Sequence, residues 1–346
     1  MIDGLECALR DSRQLGLAEL RGVLLELLDA SRVTGRLTSE HGLKRRKVYR
    51  LGFQIDGQPR TLVVKRLDLA RAQRNRFAVT RWLPAVGLGR RCPSLLGVAA
   101  ERSAQCVWHV YEDLGDQVLD TANPQRGRVE AAIDLIGGLH VRFAEHTLLP
   151  ECRLHGHDLG IAFYVANIRD AIRGVESLQP PLFDLDPGRM ALRDRLLRRL
   201  YKLLDEGPDR AGVMAELGGP ETLLHGDLWP KNILAVPTRG GLQTRLIDWD
   251  ATGVGPLTYD LSTFLYRFPA QHRPWILDRY QQSVAPLGWR APAAGDLNLL
   301  LETAEMSRLA NSLVWPCVAA VQTRAAWVFD SLAEIERWFE ALEPAL

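Results

Sequence analysis

Long apolar runs, paired cysteines and a glycine-rich phosphate loop are all missing from this chain of 346 residues. The longest apolar stretches, such as Leu313–Val321, fall far short of the roughly 20 residues a membrane-crossing helix needs. The first sixteen residues are acidic and polar, not a basic segment followed by an apolar one, so no signal peptide is expected. The five cysteines, Cys7, Cys92, Cys106, Cys152 and Cys317, are scattered and never form a Cys-x-x-Cys pair. That argues against a disulfide framework and a zinc site, and for a reducing cytoplasm in which each thiol serves as a small buried hydrophobe. No Gly-x-Gly-x-x-Gly occurs, nor an internal repeat, a low-complexity tract or a recognised nucleic-acid motif. Neither a membrane nor a nucleic acid is therefore expected as a partner.

A net charge of +1 hides a strong asymmetry. Residues 31–100 hold 16 Lys and Arg against 3 Asp and Glu, whereas 101–346 hold 24 against 33. A basic first part suits a polyphosphate ligand, and a moderately acidic second part suits a cationic or amino-bearing one. At this length there is room for about two domains, each with its own core. Leu15–Ala30 reads as an amphipathic helix. Three strand-like runs follow within 33–67, the last two joined by a turn at Asp56-Gly57, and Cys106–Asp113 makes another strand. Arg71–Val86 reads as a helix. Beyond Asp120 helical periodicity dominates, over Gln125–Glu145, Met190–Leu204, Leu297–Val314 and Ala325–Leu342. The expected fold class is α+β: a small antiparallel-sheet lobe over 1–114 and a larger, mainly helical lobe over 115–346, with the boundary near Gly115–Ala122.

One segment concentrates chemistry. Leu223–Asp250 reads LLHGDLWPKNILAVPTRGGLQTRLIDWD. The runs Asn232–Val236 and Thr244–Asp248, separated by Pro237, Gly240 and Gly241, predict an antiparallel hairpin. With its turn centred near Gly240, Asn232 falls opposite Asp248, close enough for an amide oxygen and a carboxylate to share a hard cation. Asp227, five residues before Asn232, sits on the entering loop, where a carboxylate can take a proton from an attacking hydroxyl. A base Asp, an Asn five residues later and a metal-binding Asp beyond a hairpin match the division of labour of phosphoryl transfer.

At His225-Gly226-Asp227, Asn232 and Ile247-Asp248-Trp249-Asp250 the chain resembles the aminoglycoside phosphotransferase and choline kinase superfamily, which has a protein-kinase-like fold. The phrase His-Gly-Asp-Leu-Trp also resembles fructosamine kinases. The resemblance implies Asp227 as catalytic base and Asn232 and Asp248 as Mg2+ ligands. It also implies His225 as a brace of the catalytic loop and Asp250 as a secondary acid. Lys65, ending the apolar run Thr61–Lys65, is implied to reach the α- and β-phosphates of ATP or GTP from a cleft between the lobes. Glu112 to Leu114 are implied to read the base through their backbone. Two features depart from the protein-kinase pattern: the segment 39–47, with Lys44, Arg45, Arg46 and Lys47, lacks the glycine loop, and 69–100 offers no acid to pair with Lys65, with Asp68 a poor substitute. His140 reads as a satisfied core residue, and Asp260 as a buried acid bracing the catalytic loop. The implied activity is ATP- and Mg2+-dependent transfer of a phosphoryl group to a hydroxyl of a small, amino-bearing molecule, with Glu302, Glu305 and Asp278 as candidate contacts for its amine. A nucleotide-binding pseudokinase is the alternative from another class, and a protein kinase a third reading.

Overall fold

The computed structural model describes residues 2–3, 14–28, 35–44, 47–55, 57–180, 183, 185–238, 240–325 and 327–346. Cys7, Arg45, Arg46 and Asp56 lie outside the described residues. The chain divides into two compact units, each assembled from separate stretches: 1–120, 124–135 and 230–252 in the first, and 121–123, 136–229 and 253–346 in the second.

The first unit is built on a six-stranded sheet in the order β1-β2-β3-β4-β6-β5. Its strands are β1 (Ile2–Asp3), β2 (Gly35–Lys44), β3 (Val48–Ile55), β4 (Gln58–Leu67), β5 (Leu95–Ala100) and β6 (Val107–Glu112). Apart from the β1–β2 pair, every neighbouring pair is antiparallel. Alternation decides which face is buried. Tyr49, Leu51 and Phe53 of β3, Leu62 and Val64 of β4 and Trp108 and Val110 of β6 share one core with Leu20 and Leu24 of helix α1 (Leu17–Leu27). The Trp108 indole donates to the Leu15 carbonyl at 2.8 Å, which satisfies its one polar atom in that core. Helix α2 (Leu69–Phe77) opens with Asp68 as its N-cap, the carboxylate accepting from the Arg71 amide at 2.9 Å. A π-helical turn (Ala78–Trp82) and one further helical turn (Leu83–Ala85) extend it.

The hairpin of β9 (Ile233–Thr238) and β10 (Gly241–Leu246) completes the first unit. Its register differs from the expectation by one residue. Thr238 pairs with Gly241 and Ile233 with Leu246, so Asn232 lies across from Ile247, whose N–H it accepts at 2.9 Å, and not from Asp248. The cause is the tight connection between Thr238 and Gly241, which centres the turn between two residues instead of on Gly240.

The second unit is mostly helical. It takes in the C-terminal part of α3 (Arg126–Phe143), then α4 (Leu149–His155), α5 (Ile161–Glu176), α6 (Pro187–Asp205) and α7 (Gly207–Leu217). After these come α8 (Thr258–Leu265), α9 (Arg273–Ser283), α10 (Ala294–Thr323) and α11 (Val328–Glu340). Tyr164 and Ile168 of α5, Leu196 and Leu200 of α6, Leu313 of α10 and Leu332 and Phe339 of α11 share its main core. Helix α10 runs through Pro316, where the sequence pattern ends it at Val314. A three-stranded sheet, β7 (His157–Asp158), β11 (Gly253–Pro256) and β8 (Glu221–Leu224), carries the loop that follows β8. Cys92, Cys106, Cys152 and Cys317 are buried thiols, and burial pushes Cys92 and Cys317 up to about 12. No helix is long and apolar enough to cross a membrane among the described residues.

Candidate active site

Strand β4 alternates its side chains, so Val63 and Lys65 share the face opposite the buried Leu62 and Val64. The Lys65 ammonium meets two carboxylates: Asp248 Oδ1, and Asp250 Oδ2 at 2.6 Å. Asp248 reaches it because its backbone adopts the left-handed conformation (φ 71°, ψ 56°), which turns the chain just past β10 into a 3₁₀ turn (Trp249–Ala251). Such a conformation is uncommon outside glycine, and aspartate is among the residues that tolerate it best. Trp249 is anchored below, its indole donating to the Leu246 carbonyl at 3.1 Å. The acid that 69–100 fails to supply to Lys65 is thus provided by Asp250, and Asp68 is occupied as a helix cap.

Behind this group runs a chain of buried hydrogen bonds that no sequence motif announces. Asn75 of α2 donates from Nδ2 to Asp250 Oδ1 at 2.8 Å and accepts the Tyr111 hydroxyl on Oδ1 at 2.6 Å. The Tyr111 oxygen lies 2.8 Å from His109 Nδ1. Because that hydroxyl donates to Asn75, His109 is the donor to Tyr111, and its neutral Nδ1–H tautomer follows. Nothing in the run RAQRNRF singles out Asn75, since a single uncharged amide has no distinctive spacing.

Burial and field act together here. Burial would lower the Lys65 pKa, but the charges of Asp248 and Asp250 outweigh it and raise it. For Asp250, burial and the neighbouring Asp248 charge push upward against Lys65 and Asn75, and the net shift is up. Two carboxylates share one ammonium here, and the Arg74 guanidinium, donating from Nε to the Asp250 carbonyl at 3.0 Å, brings a second positive charge close by. His109 is pushed down to about 4 by burial, then by the charges of Lys65 and Arg76.

Lys65, Asn75, Tyr111 and Asp248 line a cavity of about 300 Å3 whose remaining walls include Val48, Val79 and Leu234. Glu112, Asp113, Leu114 and Gly115 form part of its rim. The Glu112 carboxylate is occupied: it accepts from Ser94 N at 2.9 Å and pairs with Arg245 at 2.6 Å. Asn232 is buried at the end of a 3₁₀ turn (Pro230–Asn232), tied by its carbonyl to Ile247, the residue before Asp248.

His225 and Asp227 belong to the second unit, on the loop after β8. Asp260 of α8 holds that loop, its two oxygens accepting from His225 N at 2.7 Å and Gly226 N at 3.0 Å. His225 Nδ1 in turn accepts from Asp227 N at 3.3 Å, and Gly226 takes φ 78°, which allows the sharp reversal there. Burial alone would raise Asp260, but the His140 contact at 3.4 Å and the His225 amide bond bring it below the usual carboxylate range. His140 is fully buried, with Nδ1 2.6 Å from the Tyr280 hydroxyl, and is a satisfied core histidine. Asp260 is the loop-bracing acid that its sequence context suggests.

Two of the three acids expected to meet a substrate amine are already paired with arginine. Glu305 is shared by Arg267 and Arg308, Glu302 pairs with Arg210 at 2.9 Å, and Asp278 is exposed. Only Glu305 of the three is buried, and two arginines neutralise its carboxylate.

Residues 41–295 match the model of a family described as "Phosphotransferase enzyme family". The chain belongs to this family. A phosphotransferase family member that acts on small molecules is the enzyme class expected from the sequence. Three solved structures carry the same protein-kinase-like α+β fold at low identity. Choline kinase LicA from Streptococcus pneumoniae is 13% identical, with 93% of this chain and 99% of that one covered and a TM-score of 0.55. An ethanolamine kinase from Plasmodium vivax is 10% identical over 88% and 81%, with a TM-score of 0.57. An APH(2") enzyme solved as its GDP and kanamycin complex is 16% identical over 88% and 95%, also with a TM-score of 0.57. No curated protein sequence matches this phosphotransferase.

Proposed function

We propose that this phosphotransferase moves the γ-phosphoryl group of ATP or GTP to a hydroxyl of a small molecule, with Mg2+ as its metal. The observation that carries this reading is the Lys65 ammonium held by Asp248 and Asp250 at the wall of a cavity rimmed by residues 112–115. In this reading Lys65 holds the α- and β-phosphates, and the backbone of Glu112 to Leu114 reads the base. The GDP complex of the structurally similar APH(2") enzyme supports a nucleotide as ligand.

Among the described residues no three His, Cys, Asp or Glu side chains cluster as a closed metal cage. Mg2+ at such a site takes one or two protein oxygens and completes its shell with phosphates and water, so the donor set required is small. The Asp248 carboxylate and the Asn232 amide are oxygen donors of the right kind for a hard cation. When bound, the metal would neutralise phosphate charge and draw electron density from the transferring group.

The chain's own residues do the rest. Lys65 orients the phosphates, Asp250 with Asn75 fixes Lys65, and Asp227 accepts the proton of the attacking hydroxyl as its oxygen bonds to phosphorus and the nucleotide diphosphate leaves. His225 and Asp260 hold Asp227 in place. The pseudokinase alternative depends on a missing partner for Lys65, and two carboxylates fill that place.

The test uses ATP and Mg2+ with water as the acceptor, read as ADP release, alongside titration of a fluorescent nucleotide. Asp227→Ala is expected to lower turnover by roughly 10²-fold or more while nucleotide affinity stays within a few-fold. Asp248→Ala is expected to weaken binding of the metal–nucleotide complex. Wild-type turnover in the Asp227 variant would remove the base from the scheme.

A further inference from the structure

A second cavity, of about 450 Å3, lies wholly within the second unit. Trp229, two residues after Asp227, forms part of its wall, together with Tyr266, Arg267, Arg273 and Arg308. Asp227 and Glu305 both act electrostatically on Arg267 of this wall, with Glu305 the stronger of the two.

Its polar lining is dominated by hydrogen-bond donors. The Arg267 guanidinium lies over the Trp229 ring at 3.9 Å and gives Nη2 to Glu305, yet its buried Nε has no hydrogen-bond partner. The Tyr266 hydroxyl, also buried, has none either. Arg273 donates Nε to the Phe268 carbonyl at 3.0 Å and Nη1 to the Pro344 carbonyl at 3.3 Å, and pairs with no carboxylate among the described residues. Arg308 is already committed to Glu305 and, at 2.8 Å, to Ser262 Oγ. The single buried carboxylate, Glu305, is therefore consumed by two guanidiniums. Glu343 also lines the cavity but is exposed, where solvent and salt screen it.

Unpartnered buried donors are costly, and what relieves them is an acceptor. An acceptor amine, the sequence expectation, brings only donors and a like charge. An oxyanion brings several lone pairs and the opposite charge, and guanidinium forks match carboxylate and phosphate geometry. The Trp229 ring and the half-exposed Trp338 add flat apolar wall, which suits a ring more than a chain. We infer that this cavity is the acceptor subsite and that it takes a hydroxylated ring compound bearing a carboxylate or phosphate, held by Arg267, Arg273 and Tyr266. The assignment rests on the phosphotransferase reading only in calling the ligand an acceptor.

The experiment titrates the full chain by calorimetry with four ring polyols that differ in charge: glucosamine, glucose, glucuronate and glucose 6-phosphate. The two anions are expected to bind and the cation not to, and comparing them separates a carboxylate site from a phosphate site. Arg273→Gln should weaken the better anion roughly tenfold or more, and Arg273→Lys, which keeps the charge but loses the fork, should fall between. Circular dichroism melts check that each variant folds, and Tyr266→Phe gives a second, smaller loss with little disturbance of packing. Glucosamine binding as tightly as the anions, neither anion binding at millimolar concentration, or undiminished anion binding by a folded Arg273→Gln would each overturn the assignment. ADP release with ATP and Mg2+ is measured on the same compounds. Anion binding without transfer to any hydroxyl would leave the subsite standing and count against the phosphotransferase reading, whereas transfer to glucosamine alone would do the reverse.

Discussion

His109 shows how one buried ring can report on the fold that carries the site. It is 1% exposed on β6, and its neighbours Lys65 and Arg76 add positive charge to a place already poor in water. The neutral ring therefore persists in the folded protein down to about pH 4, whereas an unfolded histidine takes its proton near 6.5. Between those values unfolding takes up a proton. The stability due to this group is thus fully present above about pH 6.5 and declines as pH falls toward 4. One pKa unit is about 1.4 kcal/mol, so the full effect is on the order of 3 kcal/mol. Urea melts from pH 7.5 to 4 should show this decline in the wild type. His109→Gln, which keeps a donor for Tyr111 but has no proton to gain, should flatten it. An equal slope in the variant would mean that other groups carry the acid sensitivity. The same residue marks a limit of reading the sequence alone. In Cys106–Asp113 it reads as one member of a strand, and only the pairing of β6 with β4 sets it across from Lys65.

At the scale of elements, regular patterns were legible where a single periodicity ran uninterrupted. Strands β3, β4 and β6 and helices α3, α6 and α11 lie where alternation or helical spacing predicts them. Strand β5 carries Gly97 among small residues and gives no alternation to read. Helix α5, whose Tyr164, Ile168, Ile172 and Val175 do stand at helical spacing, is not among the helices expected. Of the residues that the sequence singles out, Lys65 and Asp248 meet in the structure, and Asn232 is bonded to Ile247, the neighbour of Asp248. Their arrangement was not legible in the sequence, because one residue of register in the β9–β10 turn changes which side chains face each other. Strand β11 shows why a short element can matter more than its length suggests. It is the middle strand between β7 and β8, and a Cβ on Gly253 would stand 2.3 Å from the His157 carbonyl oxygen. Because Gly253 is paired on both sides, the backbone has little freedom to yield. Gly253→Ala is expected to cost about 1–3 kcal/mol by overpacking. Gly212 is the contrasting case, lying on α7 with nothing within 4 Å of an added methyl, and Gly212→Ala is expected to gain up to about 1 kcal/mol through helix propensity. Chemical denaturation midpoints compare the two directly, and a Gly253→Ala midpoint equal to that of Gly212→Ala would refute the steric argument.

For the whole molecule, the division into two units puts the two cavities in different units. The cavity with Lys65 is lined only by residues of the first unit, and the cavity with Arg267 only by residues of the second. A ligand stabilises the states that bind it and slows only those openings that destroy its site. A nucleotide at a hundred times its dissociation constant adds about 2.7 kcal/mol to the unit that holds it. Hydrogen exchange followed by mass spectrometry, with and without a non-hydrolysable ATP analogue and Mg2+, should therefore slow amides of β3, β4 and β6 by up to roughly a hundredfold. Amides in the α6 and α11 core should change far less. Glucuronate or glucose 6-phosphate should protect the other way round, slowing α8, α9 and the middle of α10 while leaving the six-stranded sheet as it was. The charge division of the chain fits the nucleotide assignment, since the basic stretch 31–100 supplies most of the first unit's sheet, whereas an anion in the more acidic second unit depends on the local excess of Arg267, Arg273 and Arg308 over Glu305. Uniform slowing across both units by either ligand would mean that the chain opens as one cooperative body, and the assignment of each ligand to its own unit would then have to rest on the cavity-lining variants alone.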